Sequence, residues 1–343
     1  MDIILYILLS AFLILIGTIL IRTAAFKPSK PLETDGEKIE FDGDKAIEDL
    51  RTLVRFKTVS YRDSSLEDNA EFEKFIEKLP ELYPFVFEKC SFLKLPNRAL
   101  LFKWEGQNHT DPAVLMAHYD VVPVDESGWE KPPFEAILED DVIWGRGTLD
   151  TKVTFNGVLF AANDLIGKGF VPQNDIYFAF SGGEEVNGEG AHHIVRYFKE
   201  EGITLGMVVD EGGAVVENVF PGVKVPCGLI GIAEKGMMDV KYTVKSQGGH
   251  ASAPKPGAPI DRLASACRNM VEHPFKLKLT APAAEMFDTL GRYSSFVYRI
   301  IFSNLKLFLP VLDMICKKSG GELNALMRTS CAFTTITIST VRW

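Results

Sequence analysis

Three short apolar runs in the middle of the chain each end at imidazole or carboxylate side chains. In chain order these are 113–117 before His118 and Asp120, 176–180 before Glu184 and Glu185, and 207–209 before Asp210. Continuous apolar strands separated by helical segments are typical of sheets that are parallel and buried on both faces. In open α/β sheets, ligands bind beyond the carboxyl ends of the strands. The pattern therefore predicts an α/β domain with a mostly parallel sheet and helices on both faces, and these side chains meeting at one edge.

A fourth element contributes Asp150, which follows a short predicted strand at 141–144 and a glycine-containing turn at 145–147. Residues 151–166 have helical spacing, which places Asp150 just before a helix. Taken alone, such an aspartate is more often an N-cap than a ligand. Together with the three strand ends, it extends a set of potential ligands in the order His, Asp, Asp, Glu-Glu, Asp.

So much carboxylate at one edge needs positive charge nearby, because buried anions without a partner are costly. Only Arg146 and Lys152 are close in sequence. A divalent metal would supply that charge, and a histidine with carboxylates suits zinc, manganese or cobalt. The sequence thus predicts a metal centre.

The composition narrows the class of protein. The chain has 343 residues and a net charge of −9, which disfavours nucleic acid as a partner because phosphate backbones are repelled. The five cysteines show no Cys-x-x-Cys spacing, which excludes a dense disulfide framework and a zinc knuckle. One disulfide stays open as an alternative.

Residues 3–21 are almost wholly apolar and contain no charge, which is long enough for a membrane-spanning helix. A cleaved signal usually has a basic start and a shorter apolar core, whereas the start of this chain carries the acidic Asp2. The run favours an anchor over a signal, so we expect a membrane-anchored or secreted protein. Basic residues after the span favour a cytosolic location for the rest of the chain. The N-glycosylation sequon at Asn108 would be used only if that part faced the lumen. The orientation stays open.

The predicted organisation has four parts. We expect an anchor or signal over 1–22, a polar linker over 23–45, the catalytic domain over 46–228 and a second, incomplete domain over 229–343. The second domain begins with a roughly alternating stretch at 237–244, which predicts a half-exposed strand.

Four motifs resemble those of the M20 metallopeptidases, on the branch of carboxypeptidase S and the N-fatty-acyl-amino-acid synthase/hydrolases. They are MAHYDVVP (116–123), GRGTLD (145–150), SGGEE (181–185) and VDEGG (209–213). Residues 281–288 through 324–329 resemble an insertion of that branch. The resemblance implies a phosphorylase/hydrolase-like zinc-peptidase domain with an α/β-sandwich lid that also dimerises.

The resemblance also implies roles by position. It implies two divalent ions, most often Zn²⁺. The implied metal ligands are His118 and Asp210 for the first ion, Asp150 as the bridge and Glu185 for the second ion. Asp120 would orient His118 by a hydrogen bond, and Glu184 would be the general base. The reaction would be hydrolysis of an amide bond next to a free carboxylate.

In the lid, the resemblance implies that His250, in GGHASAP (248–254), helps to hold the charge that develops on the scissile carbonyl. Asn324 and Arg328 lie where the family binds the substrate carboxylate, a role that suits the fork of an arginine. Residues 300–316 are apolar but interrupted by Lys306, Asp313 and Pro310; they fit a buried helix, a dimer contact or an acyl-chain surface.

The family's last metal ligand is a histidine near the C-terminus, but no histidine follows His273 here. His192 and His193 could substitute, but we expect them on a solvated helix. Two interpretations stay open: a C-terminally truncated copy of an active hydrolase, or an inactive member that binds a metal or a partner. The substrate would be a small peptide or an N-acyl amino acid.

Overall fold

The computed structural model describes residues 2–28, 36, 39–220, 222–245, 252–253 and 256–337. These residues form two compact units. The sheet unit comprises residues 35–212, and the helical unit comprises residues 1–34 together with 213–343. The two units meet in sequence at residues 212–213, and the predicted domain boundary at residue 228 stays a prediction.

Among the described residues, helices and strands are mixed between residues 91 and 229, and the elements before and after this part are helices. In chain order they are α1 (Asp2–Ala25), α2 (Gly43–Val54), α3 (Asn69–Leu82), α4 (Pro84–Lys89), β1 (Ser91–Leu95), β2 (Ala99–Trp104), β3 (Asn108–His118), β4 (Ile137–Glu139), β5 (Val142–Trp144), α5 (Lys152–Gly167), β6 (Asn174–Ser181), α6 (Gly190–Glu200), β7 (Met207–Val209), β8 (Ala214–Val216), β9 (Cys227–Leu229), α7 (Pro259–Glu272), α8 (Ala281–Gly291), α9 (Phe296–Ser303), α10 (Leu305–Ser319) and α11 (Gly321–Met327). The three predicted strands correspond to β3, β6 and β7, and the predicted helix after Asp150 corresponds to α5.

The central sheet has five strands in the order β1-β2-β6-β3-β7. β3 runs parallel to both β6 and β7. β2 pairs antiparallel with β6 on one side and with β1 on the other. His118 is paired with Ser181, so β3 and β6 end level with each other. This register confirms the predicted α/β class and brings the residues that follow the two strands to one edge. The β4–β5 ribbon before Asp150 is separate from this sheet.

Both faces of the sheet are covered, as predicted. Along β2, Leu100 and Phe102 belong to the cluster that contains Phe155 of α5. The alternate residue Leu101 belongs to a second cluster with Phe198 of α6. Because successive side chains of a strand point to opposite faces, α5 and α6 pack on opposite sides of the sheet.

One strand differs from the prediction of burial on both faces. Met207, Val208 and Val209 of β7 are 55%, 52% and 45% exposed. β7 is the edge strand, and its one partner in the described part of the sheet is β3. Burial of an apolar strand depends on what packs against it, which the strand's own sequence does not determine.

The helical unit is built around a cluster of buried side chains. This cluster consists of Phe26, Ala283, Phe287, Phe302, Leu312, Cys316 and Met327. Its described strands are β8 and β9, which form a two-stranded ribbon. The predicted strand at 237–244 is absent: the structure shows no regular element there, and Met237 and Met238 are about four-fifths exposed. A strand needs a partner, and no described strand pairs with this stretch.

The apolar stretch at 300–316 is helical and divided at Asn304, where α9 ends and α10 begins. Pro310 was expected to break the stretch, but it lies inside α10. Leu312 and Cys316 are buried, which fits the expectation of a packed helix over part of its surface. The five cysteines are free, so the alternative of a disulfide does not hold.

The packing of α5 gives a first prediction. Phe155 is fully buried, with its ring 4.3 Å from that of Phe180 and 5.2 Å from that of Phe75. We expect Phe155→Ala to lower the free energy of unfolding by about 3–5 kcal/mol, because it leaves a cavity between helix and sheet. Denaturant unfolding measures this. Val171→Ala, at a half-exposed site, is the control, and an equal loss in both variants would contradict the assigned core.

Candidate metal centre

His118 is the central residue of the candidate site. It is the last residue of β3 and is 2% exposed. Its Nδ1 lies 3.0 Å from the backbone oxygen of Asp120, which orients the ring. Its Nε2 faces three carboxylates, lying 3.0 Å from Asp150 Oδ1, 3.4 Å from Glu211 Oε2 and 3.8 Å from Glu184 Oε2. One nitrogen is thus fixed by the backbone, and the other faces the carboxylates, where it could act as a ligand once it is deprotonated.

Asp120 is fully buried behind the site. Its two carboxylate oxygens accept the backbone N–H groups of Glu184 and Glu185, at 3.1 and 3.2 Å. Its Oδ1 also lies 3.4 Å from Nδ1 of His118. The two side chains are therefore close, and the predicted role of Asp120 in orienting His118 stays a prediction. The shorter bonds show that Asp120 fixes the backbone of the glutamate pair.

The glutamate pair lies on a tight turn after β6. Gly182, which precedes it, cannot carry a side chain, because a Cβ there would lie 2.6 Å from the ring of Tyr119. The turn closes through a hydrogen bond from the N–H of Gly188 to the oxygen of Gly183. Close packing against β3 therefore positions both glutamates at the sheet edge.

Two groups of side chains could each hold a cation. One is His118 with Glu184 and Glu211, and the other is His118 with Asp150 and Glu185. Within each group the ligand atoms lie within 4.8 Å of one another. One imidazole with oxygen ligands is a donor set that suits zinc or another first-row divalent ion. The residues present therefore fit the predicted metal.

The electrostatics of the site also fit a cation. Burial raises the pKa of Glu184, Glu185 and Glu211, and nearby carboxylates raise each pKa further against the opposing effect of His118. Burial alone would lower the pKa of His118, but the hydrogen bond and charge of Asp120, with the other carboxylates, raise it to about 10. The site holds an excess of negative charge that the imidazolium only partly offsets.

Asp150 behaves as a site residue rather than as a cap. The helix cap of α5 is Thr151, and no side-chain cap bond is formed there. The carboxylate of Asp150 is exposed and turned to His118. The Asp150–Thr151 peptide bond is cis.

Glu211 was not among the predicted ligands, whereas Asp210 was. In the structure the carboxylate of Asp210 accepts the N–H of Glu211, and the side chain of Glu211 approaches His118. The signal was available in the sequence, because neighbouring residues after a strand point to opposite sides. The assignment of Asp210 as a ligand stays a prediction.

The other predicted site residues belong to the helical unit. His250 lies outside the described residues. Asn324 Oδ1 accepts a hydrogen bond from Nε of Arg328 at 2.7 Å, and Arg328 also binds Asp313 and the backbone oxygen of Phe275. The guanidinium of Arg328 is buried, and its N–H groups already bind acceptors within the helical unit. These contacts therefore give no support to the predicted role in binding a substrate carboxylate.

His192 and His193 lie on α6, as expected. Their nearest polar contacts are with Glu189 and Asn97, and neither histidine belongs to the candidate metal groups.

The raised pKa of His118 gives a prediction for metal binding. In the metal-free protein, His118 holds a proton up to a pH of about 10, and a metal binds only the neutral ring. Binding must therefore release this proton, so affinity for Co²⁺ should rise about tenfold per pH unit between pH 6.5 and 8 from this residue alone. Calorimetry in buffers of different ionisation enthalpy measures the released proton.

His192→Gln, on the exposed face of α6, is the matched control and should leave both the affinity and the proton release unchanged. His118→Gln should weaken binding and abolish that proton release. An affinity independent of pH, with no difference between the two variants, would contradict the site.

Comparison with known proteins shows which family the sequence resembles. The sequence profile of peptidase family M20/M25/M40 matches residues 114–302. A probable carboxypeptidase S-like 2 from Dictyostelium discoideum is 37% identical over 83% of this chain and 56% of its own length. The N-fatty-acyl-amino acid synthase/hydrolase PM20D1 from Xenopus tropicalis is 35% identical over 95% of this chain and 66% of its own length.

Among solved structures, the M20 family metallo-carboxypeptidase Sso-CP2 from Sulfolobus solfataricus is 21% identical, with a TM-score of 0.40 over 52% of this chain and 39% of that chain. The chain spans less than two thirds of the length of the Dictyostelium discoideum and Xenopus tropicalis relatives. The family profile covers more than half of the chain and includes His118, Asp150, the glutamate pair and Asp210. The chain belongs to peptidase family M20/M25/M40.

Proposed function

We propose that the protein is a metal-dependent hydrolase that cleaves an amide bond next to a free carboxylate. The observation that carries this proposal is the convergence of Asp150, Glu184 and Glu211 on Nε2 of the buried His118. A carboxylate cluster around a fixed imidazole, at the carboxyl ends of parallel strands, is suited to metal-assisted hydrolysis.

Two divalent ions, most often zinc in this family, would be held by the predicted ligands. His118 and Asp210 would bind the first ion, Asp150 would bridge and Glu185 would bind the second, with Glu211 as a further ligand suggested by its distance to His118. Such ions, when bound, polarise the substrate carbonyl and lower the pKa of water.

Glu184 is proposed as the general base. Its side chain belongs to the group of His118 and Glu211 and is about half exposed, so it is open to water and substrate. Its raised pKa moves it towards neutrality, where a base can both accept and return a proton. Glu184 would take a proton from the attacking water and pass it to the leaving amine nitrogen. The bond from Asp120 to its backbone would hold it in place.

The substrate is proposed to be a small peptide or an N-acyl amino acid. The names of the relatives support both: a carboxypeptidase in one case and an N-fatty-acyl-amino acid synthase/hydrolase in the other. Both classes carry a free carboxylate beside the scissile amide. The apolar α1 helix favours the acylated class.

The α1 helix is proposed to anchor the protein in a membrane. Residues Ile3–Ala25 are long and apolar enough to cross a bilayer, and an 18-residue apolar window of this span has no buried residue; Thr23, near its end, is buried. A core helix would be buried. The full chain would therefore act at a membrane surface.

The role of Glu184 is tested by Glu184→Gln. We expect bound metal to remain and turnover of an N-acyl amino acid and a dipeptide to fall by about 10²–10⁴-fold, because the proton acceptor is lost. Metal content by mass spectrometry and initial rates of amine release are the measurements. Glu189→Gln is the control, because Glu189 is exposed just before α6 and outside both ligand groups.

Near-normal turnover in Glu184→Gln would remove Glu184 from this role. Bound metal without turnover in the unmodified chain would instead favour the alternative of an inactive member that binds a metal or a partner.

A further inference from the structure

The last turn of α1 is part of the fold of the helical unit. Thr23 is fully buried, and its hydroxyl lies 3.1 Å from that of Ser303 at the end of α9. Phe26, just after α1, is 8% exposed within the buried cluster, and the guanidinium of Arg292 lies over its ring at 4.6 Å. The unit therefore begins where the membrane-spanning segment ends, with no free linker between them.

The α10 helix is apolar on two opposite faces. One face, which packs against the cluster, carries Leu305, Leu309, Leu312 and Cys316. The opposite face carries Leu307, Val311 and Met314, which are 51%, 41% and 62% exposed. The spacing of three and four residues places these three side chains in one stripe. A solvated helix carries polar residues on its outer face, so this outer stripe requires a different environment.

The first turn of α9 carries further exposed apolar side chains. Phe296, Val297 and Tyr298 are 50%, 68% and 40% exposed. We call these residues, with Leu307, Val311 and Met314, the outer apolar surface. It belongs to the two helices that follow α8, and α9 is the helix against which the end of α1 packs.

The charges on these two helices have the opposite sign to those of the whole chain. Residues 296–319 contain Arg299, Lys306, Lys317 and Lys318 and a single acid, Asp313. Asp313 is paired with Lys317 and Arg328. The chain as a whole carries a net charge of −9. Basic residues beside an apolar stripe are typical of helices that lie in the interface of an anionic membrane.

We infer that the outer apolar surface of α9 and α10 lies against the lipid bilayer that α1 spans. α1 has 24 residues, which at the usual rise is about 36 Å, close to the bilayer thickness. The C-terminal end of α1, which packs against α9, would hold α9 at the point where the chain leaves the lipid. The apolar stripe would enter the headgroup region, and the lysines would reach anionic phospholipid. This inference rests on the proposed anchor.

Photocrosslinking on the full chain in vesicles tests it. A benzophenone amino acid is placed singly at Met314, at Leu9 within the apolar part of α1, or at Val171, a half-exposed apolar residue of the sheet unit. The vesicles contain phosphatidylcholine and phosphatidylserine, with a tracer of labelled phospholipid. We expect lipid adducts at Leu9 and Met314, at several times the yield at Val171.

The three positions separate the outcomes. Adducts at Leu9 without adducts at Met314 would keep the anchor and overturn the surface, and adducts at neither position would overturn the anchor as well. Crosslinks from Met314 to a second copy of the chain would show a dimer contact and also overturn the proposal.

A second variant checks that the lipid contact depends on the apolar stripe. Val311→Asp with the benzophenone kept at Met314 should lower the adduct yield several-fold, whereas Glu285→Asp on α8 should leave it unchanged. Circular dichroism shows whether each variant is folded. An unchanged yield in a folded Val311→Asp protein would overturn the inference.

Discussion

The candidate site depends on the buried carboxylate of Asp120. It accepts the backbone N–H groups of both Glu184 and Glu185, and it lies beside the ring of His118. One side chain thus ties the end of β3 to the turn after β6. A buried carboxylate is costly unless hydrogen bonds satisfy it. These bonds meet that need and at the same time set the distance between the imidazole and the two glutamates.

A second constraint is the imbalance of charge. Glu184, Glu185 and Glu211 all have a raised pKa, since burial and mutual repulsion disfavour their charged forms. The buried Lys152 donates to the backbone oxygens of Leu53 and Phe56 and not to these groups. Repulsion among these carboxylates does not stabilise the folded chain on its own. The clustering of these carboxylates is explained if a bound divalent ion offsets their negative charge.

The features that were predicted from the sequence are those that local residue patterns determine. Apolar runs indicated β3 and β6, helical spacing indicated α5, and the shared edge of parallel strands explains why His118 and the glutamate pair meet. The failures concern what a segment packs against. The stretch at 237–244 alternates like a strand but pairs with none of the described strands. The exposure of β7 follows from its place at the sheet edge. Glu211 was missed although the alternation used for the glutamate pair applies equally to it.

The two proposals for α1 and α10 bear on substrate choice. Each methylene group transferred into a membrane contributes about 0.8 kcal/mol, so a long acyl chain concentrates its amino acid in the bilayer. A short peptide gains nothing of the kind. An anchored hydrolase whose outer apolar surface lies on the same bilayer meets the acylated substrate at its enriched local concentration. The apparent KM for the two substrate classes would then differ even if the contacts around His118 were the same for both. Selectivity in this protein would thus depend on where α1 and α10 hold it, in addition to what the metal centre binds.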